Sequence, residues 1–249
     1  MNAEANRSPI APGTLPDGTV VYAVGDIHGR ADLLARMHAL IHADAASRPA
    51  QRRVLVYLGD YISRGPDSRT VIDMVRAHPL RGFDLVTLRG NHEDCLVRFL
   101  DGDMAAGGHL LDYGGMAALA SYGIQVAEHQ NADELAVIRK QVEGALPPAH
   151  IAFYRSLPPC HVEGGYVFVH AGVRPGLPLQ AQEPRDMMWL RGTFLNFAES
   201  FGAVVIHGHT MAAEPQMRSN RIGIDTGAYT SGRLTCLICE ADRRAFLQT

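Results

Sequence analysis

No apolar stretch approaches the roughly 18 residues that a membrane-spanning helix requires, so none is expected in this 249-residue chain. The opening Met1-Asn2-Ala3-Glu4 lacks the basic and apolar blocks of a secretory signal. Basic runs are missing too, and a formal net charge of -3 offers no electrostatic footprint for a nucleic-acid polymer or an anionic membrane. Cysteine is scarce: Cys95, Cys160, Cys236 and Cys239 are too few and too irregularly placed for a disulfide framework, which suits a reducing, cytoplasmic location. Cys236 and Cys239 have redox or zinc-ligand spacing, but they fall in a strand-like run where residues three apart point to opposite faces, so they are read as core. No internal repeat is visible, and the length permits one catalytic domain with an inserted cap.

What is present is an alternation of strands and helices. Residues 1 to about 17 carry Pro9, Pro12, Gly13 and Pro16 without periodicity and predict a mobile, dispensable lead-in before a single domain over 18–249. A strand over Val20 to Val24 precedes a helix marked by Leu33, Leu34, Met37, Leu40 and Ile41. The unit recurs as strand Val54 to Leu58 with helix Ser68 to Ala77, and as strand Asp84 to Leu88 with a helix through Cys95 and Phe99. Each strand ends in a loop carrying Asp, His or Asn, and in open α/β sheets ligands collect beyond the carboxyl ends of the strands. From Asp101 to about Pro159 the pattern is helical (Leu110 to Tyr122, Asp133 to Val142, Pro148 to Leu157), broken at Gly107-Gly108, Gly114-Gly115 and Pro147-Pro148, and predicts a cap beside the crevice. Strands over Tyr166 to His170, Ala203 to His207, Arg221 to Asp225 and Arg233 to Cys239, with a short helix near Thr193 to Phe201, are expected to supply a second sheet.

The chemistry resides in Asp26-Ile-His28, Gly59-Asp60, Gly90-Asn91-His92-Glu93, His170 and Gly208-His209. Carboxylate, imidazole and carboxamide donors form a mixed ligand set suited to Mn, with Fe or Zn as alternatives. A carboxylate such as Asp60 can bridge two such ions, which together bind a hydroxide that is nucleophilic at neutral pH.

Gly25-Asp26-Ile27-His28-Gly29, Gly59-Asp60-Tyr61-Ile62-Ser63-Arg64-Gly65, Arg89-Gly90-Asn91-His92-Glu93 and His170-Ala171-Gly172 together resemble the phosphoprotein phosphatase branch of the calcineurin-like metallophosphoesterases, its bacterial members above all. The resemblance runs from about Val20 to Leu237 and is weakest in the cap. It implies a four-layer α/β/β/α sandwich with two mixed β-sheets and a helical cap insertion. It also implies a dinuclear centre of two divalent ions, with Asp26, His28 and Asp60 on the first and Asp60, Asn91, His170 and His209 on the second. Arg64 and Arg191 would clamp the phosphate, forked guanidinium groups being suited to its oxygens. His92 matches the general acid that protonates the departing alkoxide during in-line attack, with no covalent phosphoenzyme. Two positions depart from relatives. The eukaryotic protein phosphatases have an Asp where Ser63 stands, which orients the catalytic histidine, and many relatives outside this branch have a histidine where Met211 follows Gly208-His209-Thr210. His207, before the glycine, is read as a support for the ligands rather than one of them.

Other features receive plainer readings. His38 and His42 have metal-pair spacing but no further ligand nearby, and are read as a solvated face with His78, His109, His129, His150 and His161. Asp225-Thr226-Gly227 occurs once, whereas an aspartic-protease dyad needs two copies, so it is read as a strand-end turn near the site with Tyr229 as a substrate contact. The paired glycines lack the Lys-Ser/Thr of a P-loop. Three functions are carried forward: a protein serine/threonine phosphatase as the leading one, a symmetrical diadenosine tetraphosphate hydrolase as runner-up, and a non-catalytic regulatory protein. The expected partner is a phosphorylated protein or a small phosphoester.

Overall fold

The computed structural model describes residues 11–78, 80–127 and 131–249; His129 and residues 1–10 of the expected lead-in lie outside them. The chain opens with β1 (Thr19–Val24), in which all six residues are buried. A strand buried on both faces must be sandwiched, and the side-chain alternation shows between what. Val20, Tyr22 and Val24 face one core cluster with the helices, whereas Val21 and Ala23 face a second cluster with Tyr166, Phe168, Val204, Ile206 and Ile222 of the other sheet.

Helices α1 (Ala31–Ala46), α2 (Ser68–Arg76) and α3 (Asn91–Leu100) alternate with β2 (Arg52–Tyr57) and β3 (Phe83–Thr87). The helical segment follows as α4 (Met104–Leu110), a π turn (Leu111–Gly115), α5 (Met116–Ser121), α6 (Ala132–Ala145) and α7 (Pro148–Ser156). Then come β4 (Cys160–Glu163), β5 (Tyr166–Val169), α8 (Pro184–Trp189), α9 (Gly192–Leu195), β6 (Val204–His207), β7 (Gln216–Met217), β8 (Arg221–Gly223), α10 (Ala228–Ser231), β9 (Thr235–Glu240) and β10 (Arg243–Gln248).

Two five-stranded mixed sheets result, ordered β10-β9-β1-β2-β3 and β4-β5-β6-β8-β7. In the first, β1, β2 and β3 are parallel and β9 runs antiparallel to β1 with Val24 opposite Cys236. In the second, β5, β6 and β8 are parallel. A third cluster, with Val167, Val169 and Val205 against Met187 and Phe194, covers the outer face of the second sheet with α8 and α9. The expected α/β fold with two mixed sheets is the one observed.

Two expectations change. The strand expected over Arg233 to Cys239 does not join the second sheet; it crosses back to β1, because its run of apolar residues must be covered on both faces. Cys236 packs into the helix-side core and Cys239 into the core between the sheets, on opposite faces as the strand period requires. Residues 11–17 are packed rather than loose. Gly13 N–H donates to Gly165 O at 2.9 Å, Gly165 N–H donates to Thr14 O at 2.8 Å, and Leu15 N–H donates to Ala241 O at 2.9 Å. These bonds tie the β4–β5 turn of one sheet to the β9–β10 turn of the other, and Leu15 is buried between them.

Two histidines expected on a solvated face are buried. His38 Nε2 lies 2.6 Å from the Tyr57 hydroxyl, and burial pushes its pKa down to about 4. His150 bridges Asp73 at 2.8 Å and the Tyr122 hydroxyl at 2.9 Å, joining α7 to the body. Among the described residues no helix is long and apolar enough to cross a membrane.

Leu15→Ala removes a buried side chain from the seam between the sheets and is expected to cost about 2–5 kcal/mol in urea unfolding. A cost within 0.5 kcal/mol, the range of a neutral surface change, would show the seam segment to be dispensable.

Candidate active site

The carboxyl ends of parallel strands from both sheets meet at one crevice. Asp26 follows β1, Asp60 follows β2, Asn91 begins α3 just beyond β3, His170 follows β5, His209 follows β6 and Asp225 follows β8. The turns that bring these side chains inward are tight. Among the described residues seven non-glycines have positive φ, and five of them are His28, Asp60, Ser63, Arg64 and His209. A left-handed backbone costs about 1–2 kcal/mol per non-glycine residue, so surrounding contacts must hold it.

Glu93 supplies much of that hold. Its buried carboxylate accepts the backbone N–H groups of Asp60 (2.9 Å), Gly90 (3.0 Å), Tyr61 (2.9 Å) and Ile62 (3.3 Å). Burial pushes its pKa up to about 7 in spite of these donors. Two glycines permit the close approach. A Cβ on Gly90 would lie 2.2 Å from Asp60 Oδ1, and one on Gly208 would lie 2.0 Å from Asp26 Oδ1.

Two donor trios share Asp60: His28, Asp60 and His92, and Asp60, His170 and His209. His28 Nδ1–H donates to Ile62 O at 2.9 Å, which leaves Nε2, 3.4 Å from Asp60 Oδ2, as the free lone pair. His170 Nδ1–H donates likewise to Leu58 O at 3.1 Å. Its Nε2 lies 2.9 Å from Asn91 Oδ1, 3.2 Å from His209 Nδ1 and 3.4 Å from Asp60 Oδ2. Burial lowers the pKa of His28 and His170 to about 3 and of His209 to about 2, keeping all three rings neutral.

The acids are pushed the other way. Asp26 is raised by burial and by neighbouring Asp225 and Asp60, Asp60 by burial and by Glu93, and Asp225 by burial. Neutral imidazoles and crowded, desolvated carboxylates converging on shared points fit divalent cations, whose charge would offset the repulsion among the acids. The donor chemistry is thus consistent with a dinuclear metal site.

The sequence-derived residues are gathered here, with one difference in grouping. His92 stands in the first trio, while Asp26 stands beside it: both Asp26 oxygens accept His209 N–H, at 3.2 and 3.1 Å. His207 Nδ1–H donates to Gly208 O at 3.0 Å and its ring packs against Phe194, outside both trios. Arg64 lies over the Tyr229 ring at 4.7 Å, and Tyr229 in turn is 5.4 Å from the His28 ring. Arg191 Nε donates to His209 Nε2 at 2.9 Å. Ser63 Oγ and His92 Nδ1 are both buried without a hydrogen-bond partner, so no acid-histidine pair forms at this position.

Sequence reasoning missed two groups. Asp225 is expected only as a strand-end turn near the site, although a strand followed by a carboxylate is the same signal that marks Asp26 and Asp60. His109, assigned to a solvated face, lines the cavity of about 200 Å³ with Tyr113, Trp189, Arg64 and Arg191. A helical wheel does not reveal this, because Arg64, Trp189 and Arg191 meet His109 only through the tertiary fold.

Glu93→Gln replaces an accepting oxygen with a donor facing N–H groups. It is expected to cost about 1–3 kcal/mol in urea unfolding and to weaken Mn binding about 10- to 100-fold in equilibrium titration. Unchanged values for both would remove Glu93 from the support of the site. Asp60→Asn is expected to lose metal from both groups in elemental analysis, where His170→Ala loses it from one; equal stoichiometry in the two variants would show that Asp60 is not shared.

The Calcineurin-like phosphoesterase family profile matches residues 19–213. A bis(5'-nucleosyl)-tetraphosphatase PrpE [asymmetrical] of Anoxybacillus flavithermus is 27% identical over 231 residues, 86% of this chain and 88% of that protein. A crystal structure provisionally named a diadenosine tetraphosphatase superposes with a TM-score of 0.63 at 19% identity, covering 97% of this chain and 98% of the other. The cold-active protein-tyrosine phosphatase of a psychrophilic Shewanella superposes with a TM-score of 0.59 at 17% identity, covering 100% and 88%. Matched along most of its length, with a buried His/Asp metal-binding cluster at the crevice of the expected fold, the chain belongs to the calcineurin-like phosphoesterase family and is a metal-dependent hydrolase.

Proposed function

We propose that the protein hydrolyses dinucleoside tetraphosphates, cutting asymmetrically to release a nucleoside triphosphate and a nucleoside monophosphate. The observation that carries this reading is the unpaired state of Ser63 Oγ and His92 Nδ1. An alkoxide leaving from a phosphoserine or phosphothreonine is strongly basic and needs an oriented, basicity-tuned acid to protonate it. A nucleotide leaving from a phosphoanhydride is a weak base and departs with little protonic help. A site with no carboxylate at the Nδ1 of its histidine therefore suits the anhydride better. The names of the curated relatives support the same substrate and specify the asymmetrical cut, where the sequence had suggested the symmetrical one. The Arg-Gly-Asn-His-Glu motif, in its protein-phosphatase form, is what favours phosphoprotein as the second reading.

In the proposed site, Asp26, His28 and Asp60 would hold one ion, while Asp60, Asn91, His170 and His209 would hold the other. When bound, the ions supply Lewis acidity and a nucleophile active at neutral pH; manganese is the first choice. Arg64 and Arg191 grip phosphate oxygens beside the ions, Arg64 held in place by the Tyr229 ring. His92 lines the same cavity as Arg64 and Arg191 and would assist leaving groups that need a proton.

With Mn supplied, diadenosine tetraphosphate is expected to exceed a phosphothreonine peptide in kcat/KM by more than about tenfold, with ATP and AMP as chromatographic products. Two ADP would indicate the symmetrical cut, and preference for the peptide would restore the protein phosphatase. Rates at the level of Asp60→Asn on both would favour a regulatory protein. His92→Ala is expected to depress peptide hydrolysis at least about tenfold more than dinucleotide hydrolysis. Equal losses would take away the leaving-group argument.

A further inference from the structure

Beside the metal-binding trios, with Trp189 6.4 Å from the His209 ring, three aromatic rings stand together in the crevice. His109 closes α4, Tyr113 lies in the π turn, and Trp189 ends α8. The His109 ring is 4.4 Å from that of Tyr113 and 5.1 Å from that of Trp189. All three line the same cavity as Arg64 and Arg191.

This arrangement is costly unless something uses it. Tyr113 is 54% exposed, an aromatic ring left in water. Trp189 Nε1 is buried with no hydrogen-bond partner, and an unpaired buried N–H is a penalty that a ligand acceptor would relieve. The backbone is bent to produce it: Tyr113 and Gly114 leave helical geometry, Gly114 at φ 97. Gly114 O accepts Arg64 N–H at 2.9 Å, and a Cβ at position 114 would lie 2.8 Å from Arg64 Cγ. One kink therefore presents the Tyr113 ring and seats the guanidinium-bearing residue beside it. Aromatic faces next to a phosphate grip match a molecule that carries a flat ring one sugar away from its phosphate.

We propose that His109, Tyr113 and Trp189 form a stacking ledge for the purine base of a nucleotide whose phosphates lie at Arg64 and Arg191. The ledge rests on the nucleotide reading of the site and deepens it: it binds by the base, whereas the metal centre and arginines bind by phosphate. Base stacking on aromatic side chains needs no base-edge readout, so adenine and guanine nucleotides are both accepted.

Trp189 is the one tryptophan of the chain, so its fluorescence reports the ledge directly. Quenching is measured with AMP and with ribose 5-phosphate, which differ only in the base, at a fixed Mn concentration. AMP is expected to bind about tenfold more tightly than ribose 5-phosphate, falling to within about twofold in Tyr113→Ala and persisting in Tyr113→Phe. His109→Ala is a second variant that reduces the same ratio and guards against a folding effect of the first. Equal binding of the two ligands by the unaltered protein, or a base preference that survives both alanine variants, overturns the ledge. Absence of diadenosine tetraphosphate hydrolysis instead overturns the substrate reading, and the binding ratio still decides the ledge.

Discussion

The hold of the Glu93 carboxylate on four backbone N–H groups is the interaction on which the rest of the site depends. Asp60 is common to both donor trios and must leave β2 in a left-handed turn that its side chain does not favour. The bonds from Asp60, Tyr61 and Ile62 to Glu93 fix that turn, and the bond from Gly90 fixes the start of α3 against it. Because Asn91 and His92 are the first residues of the same helix, one carboxylate sets the positions of Asp60, Asn91 and His92 relative to one another. The glycine at 90 is the geometric partner of this arrangement, since a side chain there would occupy the space of Asp60.

A second constraint is electrostatic. Asp26, Asp60, Glu93 and Asp225 are all buried and all held above the ordinary carboxylate range, while the imidazoles are held below theirs. Each group resists its charged form for lack of water, and the acids resist one another. Such a cluster is a poor structural core but a strong cation site, because divalent ions satisfy the acids and the free imidazole lone pairs together. Stability given up in the strand-end turns is thereby linked to metal binding, the usual trade at a functional site.

The helical segment packs into the helix-side core of the first sheet, and two backbone bonds tie it to this centre. Gly114 O takes the Arg64 N–H, and Arg89 N–H donates to Pro158 O at 2.9 Å at the other end of the segment. Arg64 thus shares its geometry with the helical segment, and His109 and Tyr113 of that segment line the same cavity. The strand ends and the helical segment are mechanically connected while being built from separate parts of the chain.

The strands and helices of the parallel core were legible because their apolar periodicities are strong, and the candidate donors were legible because Asp, His and Asn recur at strand ends in a fixed order. The motifs and their order determined the reaction class and the candidate donors, with Asp60 common to both groups. Tertiary structure alone decided that Arg233 to Cys239 returns to β1, since an apolar run does not say which sheet will cover it. It alone showed residues 11–17 bridging two turns, because those bonds are backbone bonds without a side-chain signature. Burial turned His38 and His150 from presumed surface residues into hydrogen-bonded ones, and Asp225 from a turn residue into a neighbour of Asp26. The aromatic trio likewise joins residue 189 to residues 109 and 113, far earlier in the chain. Local pattern is a property of consecutive side chains, whereas these contacts join residues far apart in the chain, and only the closed fold brings them together.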